Sequence, residues 1–522
     1  MAENLNMELA RRRASELLVA GRPQDALRYV EKLEGLHPFE FEQLLAMTEL
    51  EAGEQLADRT IIARGVDRFE RLGQQGQDGV FIYNRANGYL ALWQVAVKNL
   101  GVSQALLVHR EDLQQARDLF AAVGADASVA ADDRCQALTN RGNSLDSCGR
   151  HIEAIAAYDE ALAIQPSFGM ALGNRGMTLL WRAAADETHR HALTSEAIAS
   201  LDAALSDPDD VMRYGGVGAL ESFKNQRGLI PDTPTHHHDP APLDDPYLQW
   251  CRDHQLFLHA SHPCIGPNTK VLDAVRFGGM TVGIDDDAQQ RLRTLQDALN
   301  SLLQDYVAVR YLTWNSIEPG TPVREHAAEV SERASFTDSL TYARWGVATG
   351  LSVNALAAAT NLLDKIASVS HLYLGTDRKP SSVYFRAFWL EPRKRKVPPR
   401  VDPTIADELD NGNPGLLALC DLAGELERPT PLNELIGRRH AATHRTVAVH
   451  HMLLDEIDDG GWLDRIAFDE LRDALLAQLH RARAALFYLS DVISVREERI
   501  KPDGPLPSLP AWPAQSERAD DW

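Results

Sequence analysis

The fold of the N-terminal half is decided by one stretch, Leu138-Thr-Asn-Arg-Gly142-Asn-Ser-Leu145-Asp-Ser-Cys-Gly149-Arg-His-Ile-Glu-Ala154-Ile-Ala-Ala-Tyr158-Asp-Glu-Ala161-Leu-Ala-Ile-Gln-Pro166. Apolar residues recur at helical spacing on both sides of Gly149, which predicts two short helices joined by a turn. Small residues at Gly142 and Ala154 would let these helices approach closely. Pro166 would end the second helix, because proline has no backbone N–H to donate. The stretch therefore predicts a pair of antiparallel helices.

The start of this unit has a second copy, because Asn140-Arg-Gly-Asn recurs as Asn174-Arg-Gly-Met, 34 positions further on. This period and order of residues resemble the tetratricopeptide repeat (TPR), which implies a solenoid of stacked helix pairs. Weaker copies extend the pattern over residues 1 to about 210. The resemblance implies a concave surface for an unknown protein or peptide ligand. Asn84, Asn140 and Asn174 are predicted to contact that partner, with bonds to a neighbouring turn as the alternative.

A proline-rich connector follows the repeats. Five prolines lie between Pro231 and Pro246, a composition typical of an extended linker. Beyond it, apolar residues step by three and four through residues 292–309, and further helices are predicted over 337–374, 414–427, 432–457 and 468–496. We therefore expect an all-α chain with four parts: a TPR-like array at 1–230, a linker at 231–246, a helical bundle at 247–500 and a disordered tail at 501–522.

Composition and net charge indicate which ligands and which location to expect for this chain. The chain has 522 residues and a formal net charge of −22, which argues against broad, non-specific nucleic-acid binding but leaves room for a local basic site. The five cysteines are scattered, as in reduced cytosolic proteins. One cluster in the sequence contains Cys251, His254, His259, His262 and Cys264. It lacks the paired short spacings of structural zinc sites, so zinc binding is the lesser alternative. No signal peptide or membrane span is indicated, so we expect a cytoplasmic protein without metal or cofactor.

The segment Arg439-His440-Ala-Ala-Thr-His444 indicates the chemistry. An arginine holds a phosphate as a fixed cation, and an imidazole with a pKa near neutrality can move the proton of a 2′-hydroxyl. Metal-free cleavage of RNA requires these two groups. Arg438 with His444, and Arg445 with His450, offer competing pairs. A basic, solvated helix without catalytic residues is the structural alternative.

The surroundings of this motif resemble the HEPN (higher eukaryotes and prokaryotes nucleotide-binding) ribonucleases, in a bacterial family fused to TPR repeats. Five segments carry the resemblance: 247–258, 305–311, 363–367, 413–422 and 435–445. It implies Arg439 and His444 as catalytic residues, and a supporting set of Arg438, His440, Asp364 and Lys365. The chain departs from the pattern at His440, where such enzymes often have Asn or Asp. An interior salt pair is the alternative for Asp364 and Lys365.

The spacing of Arg439 and His444 bears on how many copies of the protein one active site needs. Five residues on a helix rise about 7.5 Å and turn about 140°, so Arg439 and His444 would not share a face. The HEPN resemblance implies that two bundles pair about a twofold axis and bring both motifs into one cleft. RNA-binding residues are also predicted, with a helix cap or a solvated loop as their alternatives: Arg310, Arg393, Lys394, Arg395 and Lys396.

These observations favour a metal-independent endoribonuclease that acts as a homodimer on RNA and leaves a 2′,3′-cyclic phosphate. The repeats would regulate or target it. A role in bacterial stress response or antiphage defence is implied only by the family resemblance. Two other functions stay open: a non-catalytic adaptor that recruits proteins through its repeats, and a nucleotide-sensing module that uses the same Arg/His cleft without cutting RNA.

Overall fold

The computed structural model describes residues 7–74, 79–231, 242–261, 265, 269, 271–277, 279–281, 286–337, 341–392, 398–430, 433, 446–451 and 463–501. These residues are mostly helical, with one small sheet. Among them, no helix combines the length and the apolar character that crossing a membrane would require.

The N-terminal part is an array of consecutive helices: α1 (Met7–Val19), α2 (Pro23–Glu31), α3 (Pro38–Leu56), α4 (Arg59–Gly73), α5 (Gly79–Leu100), α6 (Val102–Ala125), α7 (Ala131–Asp146), α8 (His151–Ile164), α9 (Gly169–Ala185), α10 (Arg190–Ser206) and α11 (Pro208–Leu229). Each helix packs on the next through α10, and α11 packs on both α9 and α10.

The helix pair predicted from residues 138–166 is confirmed as α7 and α8. A Cβ on Gly142 would overlap the ring of Tyr158, so only glycine allows this close approach of the two helices. The second copy has the same close contact between helices, because a Cβ on Gly176 would lie 2.7 Å from Leu201 Cγ. The N-terminal part is therefore the TPR-like solenoid that the sequence predicts.

The C-terminal part is a bundle built on four long or buried helices: α13 (Asp286–Ile317), α15 (Val347–Leu374), α17 (Pro414–Glu425) and α18 (Phe468–Ile500). Shorter helices surround them: α12 (Pro246–Asp253), α14 (Pro322–Glu332) and α16 (Pro403–Asp410), with 3-10 turns at Pro380–Ser382 and Phe385–Ala387. α15 packs on α13 and α18, and α17 packs on α18. The apolar stripe of α13 faces the core, with Leu295, Leu299, Leu302 and Tyr306 all buried.

A three-stranded sheet corrects the helix predicted over 432–457. Its strands are β1 (Ala343–Arg344), β2 (Thr446–His450) and β3 (Leu463–Ala467). β2 pairs antiparallel with β1 and parallel with β3. The run Thr-Val-Ala-Val at the start of β2 favours a strand, because β-branched side chains fit a pleated surface. β1 also shortens the helix predicted over 337–374, which begins at Val347.

The array and the bundle share one hydrophobic core. Trp93, Leu106 and Cys148 of the array belong to the same buried cluster as the apolar side chains of α13, α15, α17 and α18. Gly149, which has a φ of +74°, lies so close to Pro414 that a Cβ would overlap its carbonyl group. The two parts are therefore in direct contact, while the domain boundaries at residues 230, 246 and 500 stay predictions.

Candidate functional site

The motif that indicates the chemistry lies between two well-packed elements. Arg438, Arg439, His440, His444 and Arg445 fall outside the described residues, as does the basic run 393–396. In the sequence, the segment that contains the motif follows Asn433 and precedes Thr446. His444 precedes the first residue of β2 by two positions, and two residues span at most about 7 Å. The frame of the site is therefore formed by the described residues on either side of the motif: α17 and Asn433 before it, and β2 after it.

Upstream, the frame is α17. Asn413 caps this helix, because its side-chain oxygen accepts from the backbone N–H of Leu416 while its amide donates to the carbonyl of Val492 on α18. A Cβ on Gly415 would overlap the carbonyl of Tyr488, so α17 and α18 are in backbone contact. This packing fixes the helix that leads toward the motif.

Asn433 holds the chain where the motif segment begins, and its side chain is buried. Its amide donates to the carbonyls of Glu425, at 2.8 Å, and Arg428, at 3.1 Å. Its side-chain oxygen accepts from Arg481 Nη1 of α18 at 3.3 Å. Arg481 also contacts Glu425, with Nη2 and Oε1 3.1 Å apart. No local pattern in the sequence marks the contact between Asn433 and Arg481, because Arg481 lies 48 positions further on, in α18.

Downstream, the frame is β2, and His450 at its end is tied into the sheet. His450 Nδ1 lies 2.9 Å from the carbonyl oxygen of Thr341, so this nitrogen carries the hydrogen. Nε2 then accepts from Arg465 Nη1 at 3.3 Å. Both ring nitrogens are occupied, and His450 is buried. The competing pair of Arg445 and His450 therefore lacks a free imidazole and does not lie on one helix.

The exposed edge of the sheet combines cations with aromatic rings. Arg344 of β1 is exposed and is flanked by Tyr342 and Trp345, whose exposed fractions are 61% and 39%. Beside them, His451 stacks on Phe468 with ring centroids 4.8 Å apart. Partial burial and then the nearby guanidinium groups, of which Arg344 is the stronger, lower the pKa of His451. Arginine and exposed aromatic side chains are the residue types that bind single-stranded nucleic acids.

Arg310 corrects one sequence-based assignment, since it is buried and cannot reach RNA in solution. It forms a bidentate ion pair with Asp273, at 2.7 Å and 2.8 Å, and donates to the carbonyl of Leu256. Rings of Tyr247, Phe257 and Tyr306 surround its guanidinium group. The sequence placed Arg310 correctly on a helix beside tyrosines, but its partner Asp273 lies 37 positions away.

Asp364 and Lys365 contact different residues of the bundle. A carboxylate oxygen of Asp364 accepts from the backbone N–H of Phe385 at 2.8 Å, which orders the 3-10 turn beside α15. Lys365 pairs instead with Asp305 of α13, and its side chain is half exposed. A supporting role for either residue in the motif stays a prediction.

Asparagines on the first helices of three repeats form a ladder. Asn140 donates to Tyr83 Oη and to Asn87 Oδ1, at 3.0 Å and 3.1 Å. Asn174 donates to Asn143 Oδ1 at 2.8 Å, and Asn143 in turn donates to Asn140. Asn140 and Asn174 therefore bond to the neighbouring repeat. The half-buried Asn84 lies on the same helix as Tyr83, and partner binding by these asparagines stays a prediction.

Comparison with known proteins supports the bundle assignment. Residues 287–496 match the family described as LA2681-like HEPN, a range that runs from α13 to α18 and contains the Arg439–His444 motif. A crystal structure of MamA is 21% identical over 38% of this chain and 97% of MamA, with a TM-score of 0.21. A second structure, of MamA from AMB-1, is 16% identical over 43% of this chain and 98% of its own, with a TM-score of 0.22.

No curated protein matches the chain. With TM-scores this low, the TPR-like assignment rests on the helix pairs of the array itself.

Proposed function

We propose, on the premise that residues 287–496 are an LA2681-like HEPN domain, that this chain is a metal-independent endoribonuclease. The observation that carries the proposal is the position of Arg439 and His444. They lie inside the matched range, in the segment between the buried helix α17 and strand β2. The motif therefore lies within the matched part of the sequence, between two described elements, and the competing His450 is already bonded within the sheet.

The chemistry follows from the two side chains. His444 takes the proton from a ribose 2′-hydroxyl, and the 2′-oxygen attacks the adjacent phosphorus. The bond from phosphorus to the 5′-oxygen breaks, and a protonated imidazole returns a proton to that leaving oxygen. Arg439 stabilises the negative charge on the equatorial phosphate oxygens. The products are a 2′,3′-cyclic phosphate and a free 5′-hydroxyl.

Two copies are part of the proposal, with their motifs in one cleft about a twofold axis. A composite site supplies two imidazoles, so one can act as base while the other, protonated, acts as acid. In this proposal, the exposed Arg344 and its neighbours Tyr342 and Trp345 bind the substrate. Aromatic side chains stack on unpaired bases regardless of sequence, which favours single-stranded RNA.

The array supplies regulation or targeting in this proposal, through a protein or peptide bound along the solenoid. A nuclease without such restraint would be harmful to its own cell, and a role in bacterial stress response or antiphage defence is consistent with restraint. The cytoplasm, where RNA is present, is the proposed location.

The test is RNA degradation by purified protein in EDTA, with His444→Ala beside the unchanged chain. The proposal expects cleavage that His444→Ala abolishes. A matched control is His326→Ala, because His326 is an exposed histidine of α14 that pairs with Glu329 on the same helix. Intact RNA in every sample would favour a non-catalytic adaptor. Intact RNA together with binding of a nucleotide would favour the sensing module.

A further inference from the structure

One aromatic ring is exposed in the turns that follow α15. Tyr384 is 58% exposed, whereas its two neighbours in the sequence, Val383 and Phe385, are 4% and 1% exposed. Because these neighbours are buried in the core, the backbone directs the ring of Tyr384 toward solvent. The ring is therefore a candidate contact for a ligand rather than part of the core.

The backbone that carries Tyr384 is fixed by several contacts. A carboxylate oxygen of Asp364 on α15 accepts from the backbone N–H of Phe385 at 2.8 Å. The ring of Phe385 stacks on Phe388, with centroids 5.6 Å apart, and the N–H of Ala387 donates to the carbonyl of Tyr384 at 3.0 Å. A ring on a fixed backbone loses little conformational freedom when a base stacks on it, which favours binding.

Positive charge lies on both sides of the ring along the chain. Residues 379–386, which we call the tyrosine strip, contain Lys379 and Arg386, both exposed, and no acidic residue. Asp377 and Arg378, which precede the strip, cancel in formal charge. The strip is therefore locally positive in a chain whose net charge is −22. Exposed aromatic side chains and nearby cations are the residue types that bind the bases and phosphates of single-stranded RNA.

The tyrosine strip and the sheet edge lie at different positions along one helix. Trp345 of the sheet edge is two residues before α15, which begins at Val347, whereas the strip is bonded to Asp364 of the same helix. Val347 and Asp364 are 17 positions apart, which corresponds to about 26 Å at 1.5 Å per residue. A strand with stacked bases covers about 3.4 Å per nucleotide, so about eight nucleotides span this distance.

We propose that the tyrosine strip is a second RNA-binding surface, which holds the same single-stranded RNA that Trp345 and Arg344 bind at the sheet edge. Tyr384 stacks on an unpaired base, and Lys379 and Arg386 contact the phosphates beside it. The proposal takes its ligand from the proposed function. Two contacts on one RNA molecule raise its affinity, because the second forms at the high effective concentration that the first creates. The chain therefore prefers RNAs long enough to reach both surfaces.

The test measures the binding of 2′-O-methyl RNA, which has no free 2′-hydroxyl for the cleavage reaction. The full chain is titrated with labelled single strands of about 4 and about 20 nucleotides, and the shorter strand cannot span about 26 Å at the stacked spacing. Tyr384→Ala removes the ring, and Tyr384→Phe keeps it. Lys379→Gln removes one cation, and Lys224→Gln is its matched control, because Lys224 is an exposed lysine on α11 of the array. Cleavage of unmodified RNA is measured in parallel.

Tyr384→Ala should raise the Kd of the longer strand about 5- to 150-fold, the range that corresponds to the loss of one stacked base. The Kd of the shorter strand should hardly change, because that strand occupies the sheet edge alone. Tyr384→Phe should keep the affinity of the unchanged chain, since the ring is the stacking group. Lys379→Gln should reduce the slope of log K against log salt by about 0.7, and Lys224→Gln should leave that slope unchanged.

Three results would overturn the proposal: an unchanged Kd of the longer strand in Tyr384→Ala, an equal loss of affinity in Tyr384→Phe, or an equal effect of Lys224→Gln and Lys379→Gln. If unmodified RNA stays intact while binding of the longer strand still depends on Tyr384, the proposed nuclease function fails and the strip remains an RNA-binding surface. Absence of binding by the unchanged chain would overturn both.

Discussion

Arg182 of the array donates from Nη1 to both carboxylate oxygens of Asp491 on α18, at 2.6 Å and 2.5 Å, and both residues are 1% exposed. The guanidinium of Arg182 also lies over the ring of Phe487. Loss of either partner would leave an unpaired charge in the buried junction, which is strongly destabilising. Together with the shared hydrophobic core, this pair predicts that the repeats and the bundle act as one packed unit.

Cutting the proline-rich linker should consequently leave the protein in one piece. We expect protease cleavage within residues 232–241 to give two fragments that co-elute in size-exclusion chromatography at the position of the intact chain. The junction is held by buried apolar side chains and buried ion pairs, which salt screens weakly, so 1 M NaCl should not separate them. Fragments that elute separately without denaturant would show that the junction is not a stable interface.

Glu425 should make stability depend on pH. Burial alone would raise the pKa of Glu425, but Arg150 and Arg481 outweigh it and lower the pKa from 4.5 to about 2. The carboxylate therefore stabilises the folded state above pH 4.5, and this contribution is lost as the pH falls from 4.5 toward 2. Glu425→Gln should lower the free energy of unfolding at pH 7, and the difference from the unchanged chain should shrink below pH 4.5. Denaturant unfolding at several pH values measures this, and a difference that does not vary with pH would disprove it.

Trp345 should contribute to RNA binding rather than to the chemical step. Trp345→Ala removes an exposed ring beside Arg344, and stacking of one base on an aromatic ring contributes about 1–3 kcal/mol. We expect the Kd for a short single-stranded RNA to rise about 5- to 150-fold, which follows from that range. Val330→Ala serves as the control, because Val330 is also exposed and apolar but lies on α14. An equal loss of affinity in both variants would argue against a specific stacking role.

Two inactive variants should restore one another if the site is composite. In a dimer that combines Arg439→Ala with His444→Ala, one copy still supplies the histidine and the other the arginine. Random pairing makes about half of the dimers mixed, and each mixed dimer keeps one histidine as base and one arginine. Part of the cleavage should therefore reappear when the two variants are co-expressed, with water protonating the leaving oxygen in place of the second imidazole. Each variant alone should stay inactive. Failure to restore any cleavage, with mixed dimers demonstrated by two different tags, would place both residues of a working site in a single copy.

The array could be predicted from sequence because its contacts are local. Gly142 and Tyr158 are 16 positions apart, and the same relationship recurs in the next repeat between Gly176 and Leu201. The apolar stripe of α13 was likewise readable, since its spacing reflects one buried face. Such features follow from helical periodicity alone, without knowledge of the distant chain.

The sheet and the junction could not be predicted in this way. β2 is five residues long and pairs with a two-residue strand about a hundred positions upstream, so its local pattern resembled a continuing helix. Arg117 meets Asp421 across 304 positions, and no periodicity connects them. The same reason explains Arg310, whose pairing with Asp273 converted an expected RNA contact into a structural ion pair. The frame of the site, Asn433 and Arg481, also depends on long-range packing.

The chemistry of the cleaved ends tests the central claim most directly. RNA incubated with the purified chain in EDTA should yield fragments with 2′,3′-cyclic phosphates and 5′-hydroxyls, because the attacking oxygen belongs to the substrate. Arg439→Ala and His444→Ala should each reduce the rate at least about 100-fold. Sequencing libraries that capture only one type of end will distinguish the products. Fragments with 5′-phosphates, or cleavage that requires a divalent ion, would contradict the proposed mechanism.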